Sequence, residues 1–378
     1  WVHMDRWDDA TEKAKDLVRM AVGKAIFARQ LYRQKIEVTK SALVIGGGMA
    51  GMAAALQIAD MGFKAYVVEK EDVLGGNALK LNASSTGRQY EPYVNGFIER
   101  VMNHPNIEVF LKSEIKAIDG YVGKYTTTVK TDDGEKQINH GVVIVATGAK
   151  ERKPDEYLYG SNPNVVTLME FEEEMKRGRR DLSRIKDMVM IQCVGSRETA
   201  RPYCSRVCCN QALKNALEIK EANKDANVTI LYRDIRSYGF NELTYEAARK
   251  AGINFIRYDT DRKPEASEKD GKIKVRVYEP ILGEDVEIKA DLLVLGSAIV
   301  PEVEENDRIA KMLKVPLNAE GFFLEAHAKL RPVDFATEGV YLCGLAHAPK
   351  NLKESIAQGK AAAARAVTVI SKDYLQTE

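Results

Sequence analysis

Residues 41–70 read SALVIGGGMAGMAAALQIADMGFKAYVVEK, and their order decides the fold. Ala42–Ile45 is a short apolar strand, Met49–Met61 predicts a helix with small residues facing a sheet, and Ala65–Val68 is a second strand that ends in Glu69. Gly46, Gly48 and Gly51 between the first strand and the helix have the spacing G-x-G-x-x-G. Gly46 permits a tight turn, Gly48 lets backbone amides approach a pyrophosphate, and Gly51 lets helix and strand pack closely. Met49 and Ala50 open the helix, whose N-terminus carries partial positive charge toward such an anion. Glu69, about 20 residues on, is placed to accept hydrogen bonds from a ribose. A lone glycine pattern is weak, but with both strands, the helix and the acid in place this stretch predicts a dinucleotide site. Lys70 follows the acid, and Gly75, Gly76 and Asn77 suit a loop lying against the same ligand.

The chain around it has 378 residues, 45% of them apolar and 29% charged, enough for two or three domains of an ordinary globular protein. A net charge of +1 without a Lys/Arg block excludes nucleic acid as the expected partner. No run of 18 apolar residues appears, so no transmembrane span is expected. The chain opens at Trp1 and its first Met is Met4, so the lack of a targeting segment carries no argument. Residues 10–33 place Ala14, Leu17, Val18, Ala21, Val22, Ala25, Ala28 and Leu31 at helical spacing, which predicts an amphipathic helix. Its small apolar residues and lack of Trp favour docking on the main body or on a partner protein over a membrane surface.

Two further stretches complete the first domain. Residues 124–149 give two alternating strands joined at Asp133-Gly134, then a buried strand ending in Ala146-Thr147-Gly148. Residues 337–366 give a strand, Gly344, and a long Ala-rich helix. In this order the pieces resemble the FAD domain of flavoproteins with two dinucleotide-binding domains, the thioredoxin reductase and glutathione reductase superfamily. The resemblance implies FAD, with Ile115, Ala146, Thr147, Gly148, Gly344, His347 and Lys350 as further contacts. Leu345 departs from the Asp that follows the corresponding glycine in that superfamily.

The plan repeats. Met188–Gln192, a helix within Cys204–Glu221, Val228–Tyr232, two alternating strands in 272–290 and a buried strand ending in Gly296-Ser297-Ala298 copy residues 41–149. The expected fold class is therefore α/β, with two nested Rossmann-like dinucleotide-binding domains of thioredoxin reductase-like type and an N-terminal helix. Expected boundaries are 1–38 for a docking helix, 39–154 and 299–378 for a discontinuous FAD-binding domain, 155–185 for a connection, and 186–298 for the second domain. That second copy lacks the glycine pattern; the sequence there is CVGSRETARPYCSRVCC. Cysteines sit where a nicotinamide cofactor would otherwise dock.

Four of the five cysteines, Cys193, Cys204, Cys208 and Cys209, lie in that segment. So few cysteines do not make a disulfide framework, and their clustering suggests metal or redox chemistry in a reducing compartment. Arg197, Arg201, Arg206 and the helix N-terminus would stabilise anionic sulfur. Spacing alone leaves three readings: a [4Fe-4S] cluster, a structural zinc in a non-redox scaffold, or inert or disulfide-forming thiols. No C-x-x-C, nucleophile elbow or HExxH is present, which disfavours a dithiol shuttle. Cys343 reads as a core residue, whereas Tyr232 and Tyr238 suit the cluster's flank or ordinary packing.

The segment CVGSR…PYCSRVCC, followed by Lys214, closely resembles the flavoprotein A-subunit family of heterodisulfide reductases. LGGN at 74–77, RSYGF at 236–240, AHAPK at 346–350 and the N-terminal ATEKAKDLVRMAV are similar too. This resemblance covers essentially the whole chain. It implies an oxidoreductase component carrying FAD and a [4Fe-4S] cluster held by Cys193, Cys204, Cys208 and Cys209. It implies Lys214 near the flavin N5, where a cation would favour the anionic reduced ring. It also implies a cytoplasmic heterodisulfide reductase-like complex of several subunits, with ferredoxin or a hydrogenase or formate dehydrogenase donor as partners, and electron bifurcation at the flavin. Longer members carry ferredoxin-like cysteine segments that this sequence lacks. The competing enzyme reading is an NAD(P)H-dependent disulfide reductase, against which the missing second glycine pattern argues.

Overall fold

The structure is a computed structural model that describes residues 4–29, 32–84 and 87–376. The chain forms two units, Trp1–Ile36 with Tyr374–Glu378, and Glu37–Asp373. The small unit carries helix α1, Trp7–Ile26. Asp8 and Asp9 in its first turn and Lys24 in its last complement the helix dipole. None of its residues is buried, and Leu17, Val18, Val22 and Ile26 are exposed. The helix expected over 10–33 thus ends at Ile26; Leu31 lies outside the described residues.

The large unit is built twice from one plan. Its first sheet holds five parallel strands in the order Val340–Leu342, Val142–Val145, Ser41–Ile45, Lys64–Val68, Ile107–Phe110. Helices α2, Met49–Asp60, and α3, Tyr90–Met102, make the crossovers. The second sheet repeats that order as Val165–Thr167, Leu292–Ser297, Asp187–Val194, Asn227–Tyr232, Asn254–Arg257, all parallel. Helix α4, Leu168–Lys176, follows its edge strand, and α5, Cys208–Ala222, and α6, Glu242–Lys250, are its crossovers. Helix α7, Val303–Leu313, and helix α8, Leu352–Ile370, complete the first half. The chain passes between halves where Lys150–Glu151 pairs antiparallel with Ile299–Val300.

Burial on both faces explains the unbroken apolar strands. Met188, Met190 and Val294 pack toward Leu213 and Ala216 of α5 on one side. Val189, Ile191 and Leu293 pack on Ile273 and Val275 of the three-stranded meander on the other. Truncating fully buried Leu213 to Ala would cost about 2–5 kcal/mol. Each half carries such a meander, and each has a strand that the sequence pattern hides, Glu114–Tyr121 and Glu265–Lys269. In the first, a register shift between Ile115 and Ala117 breaks the period-two alternation. In the second, only Ala266 is even partly buried.

Candidate functional site

The glycine turn has two kinds of position. A Cβ on Gly46, where φ is +108°, would lie 2.4 Å from Ala146 O, and one on Gly51 would lie 1.9 Å from Gly46 O. These two glycines let backbone pack on backbone. A Cβ on Gly48 or on Gly148 would meet nothing within 4 Å, so these positions border open space. Gly48 is the N-cap of α2 and no side chain caps that helix, leaving the first-turn amides at Met49, Ala50 and Gly51 to an outside acceptor. An open glycine under an uncapped helix fits the pyrophosphate of a dinucleotide. Gly75 donates its N–H to Gly47 O at 2.9 Å, so the 75–77 loop lies on this turn. Asn77 Nδ2 ties the loop to Ala149 O at 2.8 Å.

Glu69 is buried, and each carboxylate oxygen already accepts a backbone N–H, from Gly47 at 2.6 Å and from Glu71 at 2.9 Å. It braces the turn, and each oxygen keeps a lone pair for a ribose hydroxyl. Lys70 is exposed. Ile115 lies in the hydrophobic core, where only its backbone is available; its carbonyl accepts from Arg308. Thr147 Oγ1 bonds Asn306 Oδ1 at 3.1 Å.

The loop before α8 is held from several sides. Gly344 packs against α2: a Cβ there would lie 2.7 Å from Ala50 Cβ. Its N–H donates to Gln358 Oε1 at 2.9 Å, and its carbonyl accepts from Lys350 Nζ at 2.8 Å. His347 sits between Glu325, 2.9 Å from Nε2, and Gln358, 2.7 Å from Nδ1. Burial, then the neighbouring Lys350, pushes the imidazole's pKa down. Burial also pulls the Lys350 ammonium down to about 8. His347 and Lys350 thus shape the loop. Glu325, Gln358 and Asn306 were not among the sequence candidates, because they belong to no motif.

The cysteines gather at the carboxyl edge of the second sheet. Cys193, Cys208 and Cys209 are buried and Cys204 is half-buried, all as free thiols. Cys193 has φ +62°, and the strand loses register between Ile191 and Val194. Arg197 and Arg206 are also left-handed, at +58° and +61°. Three such non-glycine residues in one loop mark stored strain, as at ligand-holding sites. Cys208 and Cys209 begin α5, which no side chain caps. The Cys209 thiol donates to Asp234 O at 3.6 Å; its neighbour Cys208 pulls it down to about 7, while Cys209 and burial push Cys208 up. Burial raises Cys193 to about 11, and the charges of Cys209 and Cys204 add to it. Four soft sulfur donors that act on one another suit an iron–sulfur cluster in kind. Among the described residues no three Cys, His, Asp or Glu side chains stand in an arrangement that could hold a metal ion.

Arg206 joins this loop to the first half. It donates to Pro349 O at 3.3 Å, to Tyr238 Oη at 3.1 Å and to Glu354 at 2.7 Å. Glu354 also closes a capping box with Asn351 on α8, a pattern legible in the sequence as Asn-x-x-Glu. Lys214 lies on α5, buried, with Nζ 2.5 Å from Glu172 of α4. Glu172 in turn accepts from the Asn82 amide at 2.9 Å, just beyond the 75–77 loop. Lys214 is therefore linked to the glycine site through one carboxylate. Neither Glu172 nor Glu218, its other acidic neighbour, was among the sequence candidates. No helix among the described residues is long and apolar enough to cross a membrane.

Residues 40–364 match the family model for pyridine nucleotide-disulphide oxidoreductases. The A subunit of the H(2):CoB-CoM heterodisulfide,ferredoxin reductase of Methanothermobacter marburgensis is 34% identical over 472 residues, covering 100% of this chain and 71% of its own length. The iron-sulfur A subunit of the CoB–CoM heterodisulfide reductase of Methanocaldococcus jannaschii is 32% identical, covering 96% of this chain and 69% of that one. Among solved structures, Lactococcus lactis thioredoxin reductase matches with a TM-score of 0.61 at 19% identity, over 88% of this chain and 99% of that one. The thioredoxin reductase of T. acidophilum gives 0.59 at 16% identity, over 87% and 99%. The fold is thioredoxin reductase-like.

Proposed function

This chain belongs to the A-subunit family of heterodisulfide reductases, and we propose that it is the FAD and [4Fe-4S] electron-transfer component of a cytoplasmic heterodisulfide reductase-like complex. One observation carries the proposal. The second copy of a repeated dinucleotide-binding plan has exchanged its glycine turn for Cys193, Cys204, Cys208 and Cys209, at the sheet edge where ligands bind in such folds.

Residues 39–154 and 299–378 would form the flavin domain, 186–298 the cluster domain, 155–185 a connection that also lends that domain its edge strand Val165–Thr167, and 1–38 a docking element for another protein of the complex. Gly46, Gly48, Met49, Ala50 and Gly51 would hold the FAD pyrophosphate, with Glu69 at the ribose. Cys193, Cys204, Cys208 and Cys209 would hold the cluster. Bound FAD exchanges electrons in pairs or singly, and a [4Fe-4S] centre relays them singly. The chain's own residues do the rest. Lys214 would hold a positive charge beside a bound flavin ring; Gly344, fixed by Lys350 and Gln358, closes the loop over α2; Arg206 keeps the cysteine loop against the 344–354 segment. Relatives are named for hydrogen, formate and ferredoxin; the reading takes a ferredoxin, hydrogenase or formate dehydrogenase as electron partner, with bifurcation as the mode.

The test is an anaerobic titration of the purified chain followed in the visible range. NADPH should leave the flavin oxidised, because the second copy has no site for it. Dithionite should then bleach the flavin bands together with a broad underlying absorbance. Rapid bleaching by NADPH alone would instead make this a self-contained NAD(P)H-dependent reductase.

A further inference from the structure

The buried face of α5 carries more polar groups than the protein satisfies. Lys214 Nζ lies 2.5 Å from Glu172 Oε1, without the angle of a hydrogen bond, and 3.7 Å from Glu218 Oε2 one turn along its own helix. Glu218 Oε2 has no hydrogen-bond partner, nor does either amide atom of fully buried Asn215 beside it. The three charged side chains are graded in exposure: 21% for Glu218, 7% for Lys214 and 1% for Glu172. An outer carboxyl group touches solvent, an ammonium lies behind it, and an inner carboxylate closes the row.

Two carboxylates facing one ammonium leave an uncompensated negative charge where burying it is costly. The other elements packed here do not cancel it. From the loop before α3, Asn82 faces both acids through amide groups. From α3, Tyr90 faces Glu172, and its phenol is pushed up by burial and then by that carboxylate. Lys176 of α4 turns away to Leu79 O at 2.7 Å and to Glu91 at 3.8 Å. Burial therefore raises the Glu218 carboxyl above its ordinary range; Lys214 pulls it back and Glu172 raises it further. Glu218 keeps a proton to higher pH than a free glutamate.

We propose that Glu218 and Lys214 form a proton path from solvent to the reacting edge of the flavin, with Glu172 as the positioning residue that holds Lys214 in line. This rests on the placement of the flavin ring against α5. Bound flavin given two electrons by an external reductant would need one proton, and Lys214 would supply it. An N–H bond of Lys214 breaks as that proton leaves. The free amine takes the proton of the Glu218 carboxyl, and water reprotonates the carboxylate. No electrons move along the path, and Glu172 only holds Lys214 in place.

The test compares wild type, Glu218→Gln, Glu218→Asp and Lys214→Met as FAD-loaded chains, with flavin bleaching by excess dithionite followed in H2O and D2O. Glu218→Gln should slow proton-limited bleaching about 100-fold and enlarge the solvent isotope effect, as expected for loss of a general acid. Glu218→Asp, or added formate, should restore part of the rate. In flavin-free protein, infrared spectra recorded while the pH is lowered should show a protonated-carboxyl band that Glu218→Gln lacks. This band also decides the matter should Glu218→Gln lose its flavin: no band assignable to Glu218 overturns the proposal. A wild-type rate and isotope effect in Glu218→Gln overturn it as well, provided Lys214→Met perturbs the flavin spectrum. If Lys214→Met leaves spectrum and reduction unchanged, the ring does not lie on α5, and the placement fails along with the path.

Discussion

Replacing Glu172 by Gln keeps the side chain's shape and removes its charge. The Lys214 ammonium, 7% exposed, then loses the carboxylate 2.5 Å away. Breaking a buried ion pair from one side costs about 3–5 kcal/mol, because the remaining charge is stranded. Glu218, 3.7 Å from the same ammonium, supplies part of what is lost, which favours the lower end of that range. The Asn82 amide keeps an acceptor in the glutamine oxygen, so its bond at 2.9 Å adds little to the loss. A loss of about 3 kcal/mol lowers Tm by about 4 °C in a unit of this size. Removing both charges, as Glu172→Leu with Lys214→Met, should recover most of the stability, since buried pairs are often neutral against apolar replacements. The assay is urea unfolding of the flavin-free chain, which keeps ligand binding out of the comparison. A Glu172→Gln variant within about 0.5 kcal/mol of wild type, the range of ordinary surface changes, would refute the stranded-charge reasoning. So would a double variant less stable than the single one.

Three further outcomes are expected. Gly48→Ala should leave unfolding unchanged, because its Cβ meets no protein atom within 4 Å, yet weaken FAD binding measured by fluorescence titration. Gly51→Ala should lower stability itself, because its Cβ falls 1.9 Å from Gly46 O. Burial raises the Glu151 carboxyl to about 7, so the native state binds the extra proton between the ordinary carboxylate range and that value. Wild-type stability relative to Glu151→Gln should therefore fall as pH rises from about 4.5 to 7, by about 3 kcal/mol, and level off above; a flat difference in urea unfolding would contradict this.

Much of the fold was legible because its signals are local. The strand Ser41–Ile45, the glycine turn and α2 follow one another within a single stretch, and the second copy could be recognised by the same order of apolar runs. Strand edges were placed to within a residue or two, as for Asn227–Tyr232 against Val228–Tyr232. Hidden elements fail on periodicity: the register shift after Ile115 spoils alternation, and Glu265–Lys269 is nearly all exposed. Helix α1 ends at Ile26 although its apolar spacing runs on, since periodicity alone does not fix a helix end.

The site divides the same way. The glycines and clustered cysteines announce themselves by composition. Glu172, Glu218, Glu325 and Gln358 do not: each is an ordinary polar residue on a helix or loop, and only the fold brings it to Lys214, His347 or Gly344. Arg206 was visible as a charge near the thiols, but its bonds to Tyr238 and Glu354 join segments far apart in sequence.

The most direct measurement is iron, acid-labile sulfide and zinc beside FAD in protein purified without oxygen. About four iron and four sulfide per FAD are predicted, as a [4Fe-4S] cluster requires, with the iron lost when Cys204 or Cys209 is changed to Ser. Zinc in place of iron, or FAD with no metal at all, would contradict the cluster and leave a flavoprotein without the one-electron relay proposed here.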